Sequence, residues 1–268
     1  MIAGLPMYDL PTLRWAQDAF WHLLAEALRA EGFEEVPGDL TRPDDLEAFW
    51  RAPDLLFGQT CGYPLMTKLA GQVRVLATPI YDAPGCEGHL YCSHIVARAV
   101  DEGRRLGDYL GRRAVINGWD SHSGMNALRH SFAPLAEGRA RCFAEVLVSG
   151  GHRGSMEKVA DGQADIAAID CVTYATVTAA EPSLTERLQI LASSRRVPGL
   201  PFITKGAASD EELLRLRRAL RVALADPAGA EARQALLLAG AVDTNEDEYQ
   251  AILDMEREAA ALDYAELR

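Results

Sequence analysis

The sequence predicts an α/β protein with two lobes and C-terminal helices, and three observations support this prediction. Hydrophobic residues make up 49% of the 268 residues, which is enough to bury a sizeable core. Short β-prone runs alternate with helical patterns over the first three quarters of the chain, an order typical of a mostly parallel sheet covered by helices. Two further extended runs, near residues 89–96 and 197–203, are placed to cross between two such lobes.

The first lobe is predicted to comprise residues 1–88 together with residues 197–268, which include a helical tail. Apolar residues recur at helical spacing over residues 10–30, and this helix is expected to end at Gly32. The other elements predicted before the second lobe are strands at residues 2–6, 34–37, 53–57 and 73–81, and helices at residues 43–50 and from Pro64.

The second lobe is predicted over residues 89–196. One helix is expected to start between Ser121 and Ser123 and to stop before Pro134, because proline disfavours helical geometry in the residue that precedes it. The remaining elements are strands at residues 89–98, at 112–116, 143–149, 164–169 and 188–193, and helices at 153–161 and 172–180.

Only helices are predicted after Ser209. Ser209 and Glu212 have the spacing of a capping box, and the two acidic residues between them favour the positive end of a helix dipole. Further helical patterns cover residues 230–238 and 246–262. This tail must pack on a lobe that the preceding residues have already formed.

The most informative stretch is residues 112–129, which predicts a buried strand, a Gly/Ser turn and the start of a helix. The first N–H groups of a helix have no partner within the helix and carry the positive end of its dipole, so they suit an anion. Ser121 and Ser123 would add hydroxyl donors there. Two interpretations stay open: an anion-binding corner, or a serine that serves only as the helix N-cap.

Other polar side chains are predicted at the carboxyl edge of a sheet, where ligands of open α/β folds gather. Gln59, Thr60 and Tyr63 follow one predicted strand in a small-residue turn. Tyr91 and Ser93 are two residues apart on another strand, so they share one of its faces.

Composition excludes several classes of protein. Twenty-seven basic against 39 acidic residues give a net charge of −12, which argues against binding to nucleic acid or to an anionic membrane. No run approaches the roughly 20 apolar residues that span a bilayer.

The 5 cysteines are odd in number and lack paired short spacings, so neither a metal site nor a disulfide framework is predicted, and no cofactor is predicted. The first residues do not resemble a signal peptide, which predicts a cytoplasmic protein as written, or a periplasmic one if a signal was removed.

Four motifs resemble those of the phosphate/phosphite/phosphonate solute-binding proteins that serve ABC transporters. They are YCSHIV at residues 91–96, DSHSG at 120–124, SGGH at 149–152 and GQADIAAID at 162–170. The resemblance covers most of residues 1–205 in order and spacing. It implies a class II periplasmic-binding-protein fold, in which two α/β lobes joined by crossover strands close on an oxyanion, and an ABC transporter permease as partner.

Membership of that family would assign ligand contacts to a set of residues from both lobes. Asp170 would lie where relatives that bind aminoalkyl phosphonates place a carboxylate against the ligand amine, although capping of the next helix is an equal alternative. Tyr8 would close over the ligand, or lie at the surface. His122 replaces the small hydroxyl residue of many relatives. The predicted ligand residues are Tyr8, Thr60, Tyr63, Tyr91, Ser93, Ser121, His122, Ser123 and Asp170.

The predicted function is therefore capture of a small oxyanion or zwitterion, phosphonate-like or phosphate-like, without catalysis. The alternative is a cytoplasmic lyase on the same fold, which resembles the menaquinone-pathway lyases. In that enzyme His122 or His152 would be the general base, since histidine titrates near neutral pH. A third interpretation is a sensor whose acidic helical tail contacts a partner.

Overall fold

The structure is a computed structural model that describes residues 1–139 and 141–268. Its strands are β1 (Ile2–Ala3), β2 (Leu55–Gln59), β3 (Val73–Tyr81), β4 (Leu90–Tyr91), β5 (Ser93–Arg98), β6 (Arg113–Ile116), β7 (Glu145–Val148), β8 (Ile166–Asp170), β9 (Leu188–Ser193), β10 (Val197–Pro198), β11 (Phe202–Lys205) and β12 (Leu238–Val242). Its α-helices are α1 (Arg14–Ala30), α2 (Leu46–Trp50), α3 (Gly62–Thr67), α4 (Ala127–Ala136), α5 (His152–Ala160), α6 (Cys171–Ala180), α7 (Pro182–Thr185), α8 (Asp210–Ala225), α9 (Ala230–Ala235) and α10 (Gln250–Ala261).

The chain forms two compact units, each built from two segments. Unit 1 consists of Met1–Asp82 and Pro198–Tyr249, and unit 2 of Ala83–Val197 and Gln250–Arg268. The predicted α/β class with two lobes is thereby confirmed.

Unit 1 contains a five-stranded sheet in the order β1-β2-β11-β3-β12. β1 and β2 are parallel, whereas β11 runs antiparallel to both β2 and β3, and β12 antiparallel to β3. The apolar stripe of α1 is fully buried at Phe20, Leu24 and Leu28, as its helical spacing predicts. β1 and β2 therefore end at the same edge of this sheet.

Unit 2 contains a five-stranded sheet in the order β7-β6-β8-β5-β9. β6 is parallel to β7 and β8, while β5 is antiparallel to β8 and β9. The carboxyl ends of β6, β7 and β8 therefore meet the start of β5 at one edge. Both sheets are mixed rather than mostly parallel, because β5 and β11 run against their neighbours.

Three elements differ from the sequence prediction. No strand forms at residues 34–37, where two glutamates precede a proline that lacks a backbone donor. α4 continues past Pro134 to Ala136, since a proline in the last turn removes only one bond near the helix end. β12 was not predicted, because its Ala/Gly-rich sequence has low β-propensity and its pairing with β3 decides its conformation.

The C-terminal segment also differs from the prediction, which placed all of residues 197–268 in the first lobe. Residues 250–268 belong to unit 2. The Asn126 amide donates to the Ile252 carbonyl at 3.0 Å, and Arg129 donates to the Ala265 carbonyl at 2.8 Å. These contacts join segments far apart in sequence, so helical periodicity alone could not assign the tail to a unit.

The first helix of the tail begins as predicted. Ser209 Oγ accepts from the Glu212 N–H at 3.1 Å, and the Glu212 carboxylate accepts from the Ser209 N–H at 2.8 Å, which completes the capping box. Within residues 1–139 and 141–268, no helix has both the length and the apolar character that crossing a bilayer requires.

Candidate ligand-binding site

One edge of the unit 2 sheet collects the starts of three helices. β6 leads into a π-helical turn at His122–Asn126 and then α4, β7 into α5, and β8 directly into α6. Because these three strands are parallel, the N-termini of the helices that follow them lie at the same edge. Six of the predicted ligand residues fall here: Tyr91, Ser93, Ser121, His122, Ser123 and Asp170.

Ser121 and Ser123 have different roles in this corner. Ser121 Oγ accepts from the Gly124 N–H at 3.0 Å, so it caps the π-helical turn. Ser123 Oγ lies 2.7 Å from His152 Nε2 and 3.5 Å from Ser121 Oγ. The helix-cap interpretation therefore holds for Ser121, whereas Ser123 connects the starts of two helices. π-helical turns of this kind occur frequently at functional sites.

His122 is buried, with 1% of its surface exposed, and it contacts the next turn of the helix. Its Nδ1 lies 3.1 Å from Asn126 Nδ2, and its ring centroid lies 6.2 Å from that of Tyr91. Burial, together with the nearby charges of His130 and Arg129, lowers the pKa of His122 to about 3. His122 is therefore neutral at physiological pH.

His152, the other histidine considered as a general base, is also neutral at physiological pH. Burial lowers its pKa to about 4. A general base works best when its pKa is near the operating pH, which neither His122 nor His152 satisfies. The expectation that these histidines titrate near neutral pH is wrong, because sequence alone does not reveal their burial.

Asp170 and Ser93 are register partners on adjacent antiparallel strands. Asp170 is 1% exposed, and its Oδ1 accepts from the N–H groups of Val172 and Thr173 at 2.8 and 2.9 Å, which caps α6. Ser93 is also 1% exposed, and within the described residues its Oγ makes no hydrogen bond. A buried hydroxyl of this kind is rare in native proteins and calls for an explanation.

Gly124 and Asn117 pack closely against each other near the start of the helix, and neither was predicted as a site residue. A Cβ on Gly124 would lie 1.8 Å from Asn117 Oδ1 and 3.2 Å from the Asn117 backbone nitrogen. Only glycine allows this close approach, although its backbone angles are ordinary. The strand-turn-helix pattern offered a signal, since Gly124 and Asn117 bracket the turn.

Unit 1 holds the other three predicted ligand residues at the ends of two strands. Tyr8 is buried and its ring meets Tyr81 edge-on, with centroids 5.2 Å apart. Thr60 is fully buried, and its N–H donates to the Pro201 carbonyl at 3.1 Å. Tyr63 is half-buried in the first turn of α3. The structure places all three after β1 or β2, and their ligand contacts stay predictions.

Two cysteines that are distant in sequence meet in unit 2. Cys86 Sγ lies 3.6 Å from Cys171 Sγ, and this hydrogen bond lowers the pKa of Cys86. Their spacing along the chain gave no sign of this contact. No cluster of three or more His, Cys, Asp or Glu side chains in the described residues has the geometry to hold a metal ion.

Two α/β units, one of them with three helix N-termini at a single sheet edge, form an architecture typical of solute-binding proteins. Residues 21–249 match the family described as ABC transporter, phosphonate, periplasmic substrate-binding protein. The chain belongs to this family. The predicted resemblance is thereby confirmed, and the family is one of binding proteins that serve ABC transporters. No curated protein matches the chain.

Solved structures agree on the fold. A binding protein component of an ABC phosphonate transporter from Pseudomonas aeruginosa is 17% identical with a TM-score of 0.80, covering 98% of this chain and 87% of that one. PhnD1 of Prochlorococcus marinus, solved with methylphosphonate, is 14% identical with a TM-score of 0.77, covering 97% and 98%. A Xanthomonas citri protein solved with ATP is 14% identical with a TM-score of 0.73, covering 99% of each chain.

These comparisons bear on the two competing functions. The family is one of substrate-binding proteins, and nothing in the comparisons supports the alternative of a menaquinone-pathway-like lyase. The low pKa values of His122 and His152 count against that alternative independently.

Proposed function

We propose that this protein captures a small phosphonate-like or phosphate-like oxyanion, or the related zwitterion, without catalysis, and presents it to an ABC transporter permease. The observation that carries this proposal is the buried Ser93 hydroxyl, which makes no hydrogen bond within the described residues. It lies on the strand that starts at the edge where α4, α5 and α6 begin. Family membership supports the same function.

Uncharged donors would hold the ligand in unit 2. Ser93 and neutral His122 offer side-chain donors, and the start of the π-helical turn adds backbone N–H groups and the positive end of the helix dipole. Ser123, whose hydroxyl also hydrogen-bonds with His152 Nε2, is a proposed contact beside them. Such donors bind an oxyanion strongly in a buried site, because hydrogen bonds to charged groups are worth about 1.5–3 kcal/mol each. Tyr91 is a proposed further contact from the residues before β5, and Tyr8, Thr60 and Tyr63 are proposed contacts from unit 1.

Ser93→Ala tests the proposed site directly. The substitution removes no hydrogen bond within the described residues, so we expect the stability of the unliganded protein to be unchanged or raised. We expect the affinity for methylphosphonate, measured by isothermal titration calorimetry, to fall by about 10-fold to 100-fold. Ser131→Ala is the matched control, because Ser131 Oγ donates to the Ala127 carbonyl within α4, away from the proposed contacts.

Two results would contradict these proposals. Equal methylphosphonate affinity in Ser93→Ala and wild type would exclude Ser93 from the ligand set. If phosphate, phosphite, methylphosphonate and aminoethylphosphonate all fail to raise the melting temperature of wild type, the proposed function itself is wrong, since a ligand that binds only the native state must stabilise it.

Asp170→Asn distinguishes the two interpretations of Asp170. Asparagine caps a helix about as well as aspartate, so the free energy of unfolding should change by less than about 0.5 kcal/mol. If Asp170 also faces a ligand amine, the variant should lose about 10-fold or more in affinity for aminoethylphosphonate but keep its affinity for methylphosphonate. Equal losses for both ligands would contradict a contact between Asp170 and the ligand amine.

A periplasmic location belongs with this proposal, because the family is described as periplasmic. Fractionation of cells that express the complete gene product tests it, and recovery only in the cytoplasm would contradict it.

Copurification of the tagged protein with a permease complex in the presence of methylphosphonate tests the transporter partner.

A further inference from the structure

A chain of polar contacts runs from the C-terminal segment of unit 2 to His122. Arg129 Nη1 donates to the Ala265 carbonyl at 2.8 Å, and Arg129 Nη2 donates to Asn126 Oδ1 at 2.6 Å. Asn126 Nδ2 lies 3.0 Å from the Ile252 carbonyl and 3.1 Å from His122 Nδ1. Asn126 and Arg129 are both buried, with 0% and 4% of their surfaces exposed.

This arrangement leaves one possible orientation for the Asn126 amide. A guanidinium group only donates, so the atom facing Arg129 must be the amide oxygen. A backbone carbonyl only accepts, so the atom facing Ile252 must be the amide nitrogen. The contacts with Arg129 and with the Ile252 carbonyl require the same orientation of the amide. The amide therefore presents an N–H group to His122 Nδ1.

The orientation of Asn126 in turn determines the protonation of His122. A nitrogen that accepts from the Asn126 N–H has no proton of its own. The neutral ring then carries its single proton on Nε2. A doubly protonated ring would point an Nδ1–H group at the Asn126 NH₂ group, which is repulsive.

We propose that Asn126 and Arg129 are positioning residues that hold His122 as the neutral tautomer with its proton on Nε2, so that His122 offers the ligand one uncharged donor. This inference rests on the proposed function for the ligand contact of His122, but not for its tautomer. It also assigns a role to the C-terminal segment, whose carbonyls at Ile252 and Ala265 hold Asn126 and Arg129.

The charges around His122 favour the same state. Arg129 and His130 lie on the following helix, and each lowers the pKa of His122. Glu256 on α10 forms an ion pair with Arg129 at 3.5 Å, and Tyr91 packs its uncharged ring near the imidazole. We therefore expect the tautomer, and the contribution of His122 to affinity, to stay constant between about pH 5 and pH 8.

Nitrogen-15 NMR of the histidine side chains in the unliganded wild type tests the tautomer directly. The expected spectrum shows His122 with a protonated Nε2 and an unprotonated Nδ1 across that pH range. A His122 ring with its proton on Nδ1, or with both nitrogens protonated, would overturn the inference. This measurement needs no variant and no ligand, so its failure is distinguishable from a failure of the proposed function.

Asn126→Asp tests the positioning role. A carboxylate only accepts, so His122 should move its proton to Nδ1, a change of signature that loss of stability alone does not produce. The affinity for methylphosphonate, measured by calorimetry, should fall by about 10-fold to 100-fold, because the ring then presents an acceptor in place of a donor. Ser131→Ala should retain the wild-type tautomer and affinity. An unchanged tautomer in folded Asn126→Asp would overturn the role of Asn126.

Discussion

Gly124→Ala is expected to destabilise the protein by about 1–3 kcal/mol, in the range of overpacked buried sites. The new methyl group would lie 1.8 Å from Asn117 Oδ1, so the Asn117 side chain must leave its position. The nearby backbone nitrogen of Asn117, at 3.2 Å, limits any further adjustment. Because Gly124 N–H is also the group that Ser121 caps, the start of the helix should shift and methylphosphonate affinity should fall by at least about 10-fold. Chemical denaturation and calorimetry measure these two effects.

Gly154→Ala is the matched control in the same unit. Gly154 lies inside α5, and a Cβ there would meet its nearest atom at 3.4 Å, an ordinary contact. Alanine is favoured over glycine in a helix by about 1 kcal/mol, so this variant should be as stable as wild type or more so. If Gly124→Ala behaves like Gly154→Ala, the close packing against Asn117 does not constrain the site.

The stability of the protein is expected to fall as the pH falls below neutral, with His122 as one cause. In the unfolded chain, an imidazole takes up a proton near pH 6.5, whereas burial lowers the pKa of His122 in the folded protein to about 3. Between these two values the unfolded state binds more protons, so acid favours unfolding. The titration of His122 alone should lower the free energy of unfolding by about 2 kcal/mol when the pH falls from 7.5 to 5. His152, with a pKa of about 4, acts in the same direction.

His122→Gln isolates this contribution. Glutamine does not titrate and its oxygen accepts from the Asn126 amide, so the loss of stability between the two pH values should shrink by about 2 kcal/mol relative to wild type. His22→Gln, which replaces an exposed histidine of α1, should leave the wild-type pH dependence intact. Urea denaturation at each pH gives the free energies. An identical pH dependence in wild type and His122→Gln would show that His122 titrates normally in the folded protein.

Recognition of an anion by uncharged donors is consistent with the net negative charge of the protein. A protein with a net charge of −12 does not attract an anion by its overall field, so recognition has to be local. In the proposed site, helix N-termini, serine hydroxyls and a neutral imidazole would supply local donors without adding a buried charge. This explains how an acidic protein can belong to a family of phosphonate-binding proteins.

The sequence was most informative where a local pattern has a local cause. The capping box at Ser209 and Glu212, the apolar stripe of α1 and the strand over Val73–Tyr81 were all predictable from residue spacing alone. β12 was not, because its residues have little intrinsic preference for a strand and adopt one only through pairing with β3.

In the candidate site, too, the local features were predictable from sequence and the contacts between distant segments were not. The turn at residues 120–124 and the family motifs identified the corner and its serines from sequence, since helix starts and strand ends have recognisable residues. The sequence did not indicate which serine caps the helix and which meets His152. That distinction depends on where α5 begins relative to α4, a matter of sheet order.

The sequence by itself determined the family and the two-lobed α/β class, and it predicted the edge at which six of the proposed ligand residues lie, because these follow from patterns along the chain. Only the tertiary structure decided the state of His122. Its neutrality depends on burial and on an amide held by Arg129 and by the Ile252 carbonyl, which lies 126 residues from Asn126. Protonation is set by the dielectric and by hydrogen-bond partners in space, and neither can be read from neighbours in sequence.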